Sequence, residues 1–251
     1  MTPYDSPAPV SARRIERVRF ELRRRDLRVA RVERVGSGFA RIVFTGDALA
    51  DFQSLSFDDH VKFIFADAQG ETLMRDYTPR RFDAQRRELA IEFALHGHGP
   101  AAEWARQAAP GQAATIGGPR GSMIIPMDYD WHLLAGDACA LPAIARRLEE
   151  LPAGTPVRVL VQIDDAADER RLATAAAAQV QWVRTEEEWL AALRAMPLPR
   201  GEGFVWCAGE AAAMRAARDM LIAKHRHPRE AMRVAAYWKR GAADFHERLD
   251  G

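Results

Sequence analysis

Arg75-Asp-Tyr-Thr-Pro-Arg80 places two guanidiniums, a phenol ring and a hydroxyl in one short stretch. It closes a strand-like run, Met74 to Thr78. Side chains alternate along a strand, so Arg75 and Tyr77 share a face and Thr78 begins the turn. A guanidinium from Arg75 or Arg80 can grip phosphate oxygens bidentately. The Tyr77 ring can lie against a flat ring system, and the Thr78 hydroxyl or N–H can bond that system's edge. A flavin nucleotide asks for these three contacts. An exposed strand end with ordinary arginine and tyrosine has the same composition, so the motif alone leaves the two readings level.

His96-Gly-His-Gly-Pro-Ala-Ala-Glu-Trp104 is a glycine-containing turn opening into a helix. Unpaired N–H groups at a helix start form an anion site. Gly97 and Gly99 let the backbone approach a pyrophosphate, and Ala101 and Ala102 offer N–H groups without bulk. A plain glycine turn before a helix is the alternative. His96 and His98 lack a third ligand at a supporting spacing, so a zinc site is not expected. His225 and His227 read as a solvated helix end. Further on, Gly136-Asp-Ala-Cys-Ala-Leu-Pro-Ala143 lies between a strand and a helix, where an open α/β sheet binds its nucleotide. No histidine partner stands near Cys139 in sequence, which argues against nucleophilic cysteine chemistry. Cys207 reads as a buried strand-end thiol. Asp164 and Asp165 suit an adenosine ribose, whereas Arg170 and Arg171 suit a 2′-phosphate, and the two signals conflict.

These motifs need elements to hold them. Val29–Val35 and Ala40–Thr45 alternate around Gly36 and Gly38 and predict a hairpin. Val61–Phe65, Met74–Thr78, Glu88–Leu95 and Ala113–Ile116 predict further short strands, interrupted by a helix over Pro100–Ala109. That pattern predicts a small antiparallel barrel. The pattern then changes to strands at Trp131–Ala135, Val157–Ile163, Gly203–Ala208 and Met232–Trp238. Helices at Leu141–Leu151, Glu186–Met196 and Glu210 to about His225 alternate with them, which predicts a parallel sheet. Ala173–Ala178 reads as a loop or helix edge. The expected fold is mixed β and α/β: an antiparallel β-barrel over residues 1–127, with 1–12 a mobile tail, and an α/β domain over 128–251.

Composition narrows the class. The chain of 251 residues has 36 Lys and Arg against 35 Asp and Glu, a net charge of +1. That balance disfavours a nucleic-acid or membrane-surface binder. No apolar run reaches the roughly 18–20 residues of a spanning helix. The N-terminus lacks a signal-peptide layout, and two cysteines fit a reducing compartment, so a cytoplasmic protein is expected.

In their order along the chain, these motifs resemble those of the siderophore-interacting proteins, also called ferric-siderophore reductases, of the ferredoxin-reductase-like superfamily. The resemblance also includes His60-Val-Lys-Phe63, Gly118-Pro-Arg-Gly-Ser122, Trp206-Cys-Ala-Gly-Glu210 and Tyr237-Trp-Lys-Arg-Gly241. It implies FAD in the barrel, held by Arg75, Tyr77, Thr78, Arg80, the loop His96, Gly97, Gly99, Ala101, Ala102 with Trp104, and Arg120 and Ser122. Tyr237 or Trp238 would cover the flavin. It implies NADPH or NADH at Asp137, Cys139, Ala140, Leu141, Gly209 and Glu210, although Cys139 stands where relatives commonly have threonine. Lys239, Arg240, Arg81 and Arg41 would attract an anionic ferric siderophore. The flavin carries the chemistry, so no side chain is expected as a catalytic group and no resident metal is needed. A monomer is expected. Three other readings stay open: reduced ferredoxin as donor, a general flavin reductase, and a non-enzymatic siderophore carrier.

Overall fold

Alternation decides the first half of the chain. In a computed structural model, described here for residues 15–67, 69–95 and 99–242 and for the backbone of 247–248, the strands are β1 (Glu16–Arg19), β2 (Arg24–Val35), β3 (Phe39–Thr45), β4 (Val61–Ala66), β5 (Thr72–Tyr77), β6 (Arg81–Asp83) and β7 (Glu88–Ala94). Helix α1 (Pro100–Gln107), β8 (Ala113–Gly117) and β9 (Gly121–Ile124) follow. Leu27 and Val29 of β2, Val61, Phe63 and Phe65 of β4, and Ile116 of β8 face one buried core at every second position. Seven strands join antiparallel in the order β5-β4-β8-β2-β3-β7-β6, while β1 pairs with β9 in a separate two-stranded sheet. The end strands β5 and β6 are consecutive in sequence, and among the described residues no ladder joins them. The expected barrel is therefore open along one seam. Thr78-Pro79-Arg80 bridges that seam, and proline has no N–H to offer a ladder.

The second half holds β10 (Trp131–Gly136), α2 (Leu141–Glu150), β11 (Pro156–Gln162), β12 (Ala177–Val183), α3 (Glu186–Ala195), β13 (Gly203–Glu210), α4 (Ala211–Ala223), β14 (Met232–Trp238) and β15 (Glu247–Arg248). The sheet order is β12-β11-β10-β13-β14-β15, parallel except for β15. Strands β10 and β13 are buried along their whole length, as a sheet covered on both faces requires. The apolar side chains of α2 pack on one face with Phe39, Phe57 and Ile125 from the first half. Helices α3 and α4 cover the other face. Thr185 and Glu188 form a capping box at the start of α3. Strand β12 was not legible in the sequence. Its polar Gln179 and Gln181 and its exposed face mark an edge, and the Ala173–Ala178 stretch runs into it rather than into a helix.

Polar groups lock the two halves together. The Arg233 guanidinium on β14 donates to buried Asp58, in the loop before β4, at 2.5 Å, and the Trp206 indole N–H donates to the same carboxylate at 2.9 Å. Arg146 on α2 donates to the Ser54 hydroxyl and the Pro79 carbonyl, each at 2.8 Å. Its neighbour Arg147 lies buried over the Phe57 ring, donating to the Ile125 and Pro126 carbonyls. Burial pushes its pKa down to about 10. Among the described residues, no helix is long and apolar enough to cross a membrane.

Candidate active site

The open seam of the first sheet faces the carboxyl ends of β10 and β13, and a cleft of about 890 Å³ lies between them. Ligand sites of this kind span roughly 300–1,000 Å³. Arg75, Tyr77 and Thr78 line it from the seam. The Tyr77 ring is backed by Phe93 at 4.3 Å and Phe63 at 6.1 Å, so its orientation is set by the barrel core. Gly99, Ala101 and Ala102 line the next wall. The N-cap of α1 is Gly99, and a Cβ there would meet nothing within 4 Å. Gly99, with no side chain of its own, leaves this helix start open to the cleft.

Across the cleft, the chain order reverses between β10 and β13, which makes Gly136–Cys139 the turn at a topological switch point. Gly136 is required there: a Cβ would stand 2.2 Å from the Ala208 carbonyl oxygen. Asp137, Cys139 and Glu210 line this wall, and Tyr237, Trp238 and Arg240 reach it from the end of β14. Burial pushes the Asp137 carboxyl up to about 6, against the opposing hydrogen bonds from the Trp238 indole and the Cys139 and Glu210 amides. Glu210 also feels burial, but the amides of Arg240, Ala212 and Ala213 outweigh it and hold its pKa below the usual range. The Tyr237 hydroxyl lies 3.4 Å from Asp58.

Several expected site residues are placed elsewhere. Arg80 is buried and bound to Glu149, with one contact at 2.9 Å, so it joins the halves rather than facing the cleft. Trp104 is half-buried and packs against the barrel core, 4.6 Å from Phe63. Ser122 donates to buried Asp59 at 2.6 Å. Arg120 is exposed, away from the cleft. Ala140 and Leu141 are core residues beneath the switch-point turn. Gly209 does not line the cleft; it is needed because a Cβ there would stand 2.7 Å from an Asp137 oxygen. Of the terminal cations, Arg240 lines the cleft while Lys239 and Arg81 are exposed outside it. Arg41 is engaged with Glu92 at 2.7 Å. His96 and Gly97, together with His98 and the 1–12 tail, fall outside the described residues.

Other expectations are resolved by packing. Cys207 is fully buried in the α4-side core, and its thiol pKa is pushed up to about 12 by that burial. His227 is buried, not solvated: its Nε2 lies 2.9 Å from the Ala231 carbonyl and its ring packs 5.6 Å from Trp131. Arg170 bonds Glu92 at 2.6 Å and lies over the Phe39 ring, which withdraws it as a 2′-phosphate ligand. Sequence reasoning missed Glu92, Lys62, Asp76 and Glu186, all of which line the cleft. For Glu92 a signal existed. It is the one charge inside the apolar run Leu89-Ala-Ile-Glu-Phe-Ala-Leu95, and a charge at a core position must be paired.

An open-seamed antiparallel barrel facing the switch point of a parallel sheet defines the ferredoxin-reductase-like fold. Within that class the chain belongs to the siderophore-interacting protein family: residues 28–73 and 67–123 match the siderophore-interacting FAD-binding domain, and residues 129–241 match the siderophore-interacting protein domain. It is 37% identical over 245 residues to the NADPH-dependent ferric-chelate reductase of Escherichia coli K12, covering 89% of this chain and 96% of that one. It is 28% identical over 241 residues to the ferric vibriobactin reductase ViuB of Vibrio cholerae, covering 85% and 89%. The crystal structure of a siderophore utilization protein from T. fusca superposes with a TM-score of 0.85 at 34% identity, covering 92% of this chain and 98% of that one.

Proposed function

We propose that the protein is an FAD-dependent ferric-siderophore reductase that draws electrons from NADPH. The observation that carries this reading is the single cleft that brings the Arg75-Tyr77-Thr78 seam and the start of α1 opposite the switch-point turn. The residues fit FAD: Arg75 is the phosphate ligand, Tyr77 is a ring braced from behind, and Ala101 and Ala102 are N–H donors behind a glycine N-cap that has no side chain to compete. When bound, FAD would supply the redox chemistry, hydride uptake from the nicotinamide and single-electron transfer to Fe(III). Fe(II) is softer and less charged, so hard oxygen ligands hold it less tightly and the iron is freed. The chain's own part is position and charge. Tyr237 and Trp238 wall the cleft, and Arg240 gives its edge a cation for anionic ferric complexes. A cytoplasmic setting, where NADPH is supplied, goes with this reading.

The test is the visible spectrum of the purified protein, before and after anaerobic NADPH. Flavin bands that bleach support the reading. Bands that persist point to reduced ferredoxin or another donor, and a protein that takes up no FAD is a carrier instead. Arg75→Ala should weaken FAD binding by about 1.5–3 kcal/mol through loss of a charge-assisted contact. Equilibrium titration with FAD measures it, and unchanged affinity removes Arg75 from the site.

A further inference from the structure

Backbone donors on both sides of the switch point are engaged by the chain's own carboxylates. Asp137 accepts from the Cys139 amide at 2.9 Å, the Glu210 amide at 3.0 Å and the Trp238 indole at 2.7 Å. Glu210 accepts from the Ala212 and Ala213 amides at the start of α4, at 2.5 and 3.2 Å, and from the Arg240 amide at 3.2 Å. The turn after β10 and the start of α4 are the two places where a switch point offers amides to a dinucleotide's phosphates. Here each is filled internally, and each filling carboxylate also holds the C-terminal segment Trp238–Arg240. An incoming pyrophosphate would meet two negative charges where it needs bare N–H groups.

We propose that Asp137, latched by the Trp238 indole, is an internal competitor for the amides of the nicotinamide nucleotide's pyrophosphate and sets the affinity of the cleft for that nucleotide. This rests on the NADPH reading above. Nucleotide binding then requires Asp137 to release the Cys139 and Glu210 amides, and release loosens Trp238. By linkage, whatever holds Trp238 against Asp137 weakens the nucleotide, and the nucleotide weakens that hold by the same factor. The raised pKa of Asp137 agrees with a carboxylate kept in a site poorly suited to its charge.

The test is calorimetric titration of NADP⁺ into the FAD-loaded protein. The oxidised nucleotide cannot reduce the flavin, so the heat reports binding alone. Asp137→Ser removes the competing charge and leaves a hydroxyl for one amide; its Kd for NADP⁺ should fall about tenfold. Trp238→Phe keeps a ring and removes only the latching N–H; its Kd should fall about threefold. If Asp137→Ser does not retain FAD, Trp238→Phe carries the test alone. Variants that keep their flavin spectrum yet bind NADP⁺ no tighter than the wild type overturn the latch. If NADPH also fails to bleach the wild-type flavin and no variant binds NADP⁺ at millimolar concentration, the donor reading falls together with it.

Discussion

Arg233→Leu should remove about 3–5 kcal/mol of stability, because it strands a buried carboxylate without its cation. Arg233 and Asp58 have side-chain exposures of 4% and 3%, so water cannot replace the lost partner. Trp206 and Tyr237 still approach Asp58, but two neutral groups do not offset a buried charge. The pair joins the loop before β4 to β14, so the damage reaches the junction of the two halves and the Tyr237 wall of the cleft. Denaturant unfolding of the FAD-loaded protein measures the loss. The double change Arg233→Leu with Asp58→Asn should recover a sizeable part of it, since removing both charges relieves the stranded one. A loss below about 1 kcal/mol for the single change would show that the pair is solvated in practice.

Glu92→Gln should be of similar size, about 3–5 kcal/mol, and should also change the acid response of the protein. The Glu92 side chain is fully buried. Arg41 reaches it at 2.7 Å, Arg170 from the second half at 2.6 Å, and Arg80 at 3.5 Å. A neutral glutamine leaves three guanidiniums facing one another around an uncharged centre. Burial raises the Glu92 pKa, but Arg170 and Arg41 outweigh it, and the net value lies below the ordinary 4.5. The unfolded chain therefore takes up this proton first as pH falls, and the folded state loses stability below about pH 4.5 until its own lower pKa is passed. The glutamine variant lacks that loss, so its stability deficit relative to wild type should shrink steadily from pH 5 downward. A deficit that stays constant with pH would mean that Glu92 is not the charge holding the cluster.

The legible parts of this protein were those governed by local rules. The change from period-two alternation to strand–helix alternation marks where the architecture switches, and no long-range information is needed to see it. The Arg75–Thr78 motif, the Gly99–Ala102 turn and the Gly136–Cys139 turn were visible because each chemistry is built within a few consecutive residues. Strand β12 and strands β1 and β9 were not visible. An edge strand is half solvated, so its sequence carries little hydrophobic pattern.

Arginine was the residue type that sequence reasoning placed least well. Arg41, Arg80 and Arg170 have the composition of ligand contacts, yet all three engage Glu92. Trp104 has the composition of a site aromatic and packs instead against the barrel core. By itself the sequence determined the two-part architecture, the family and several of the local stretches that line the cleft. Only the tertiary structure decided which cations remain for a ligand and which are consumed by the protein. It alone showed that Asp137 and Glu210 fill their own switch point. The reason is physical: a guanidinium or a carboxylate is specified by its nearest opposite charge or donor, and those partners lie tens of residues away, on another strand or in the other half.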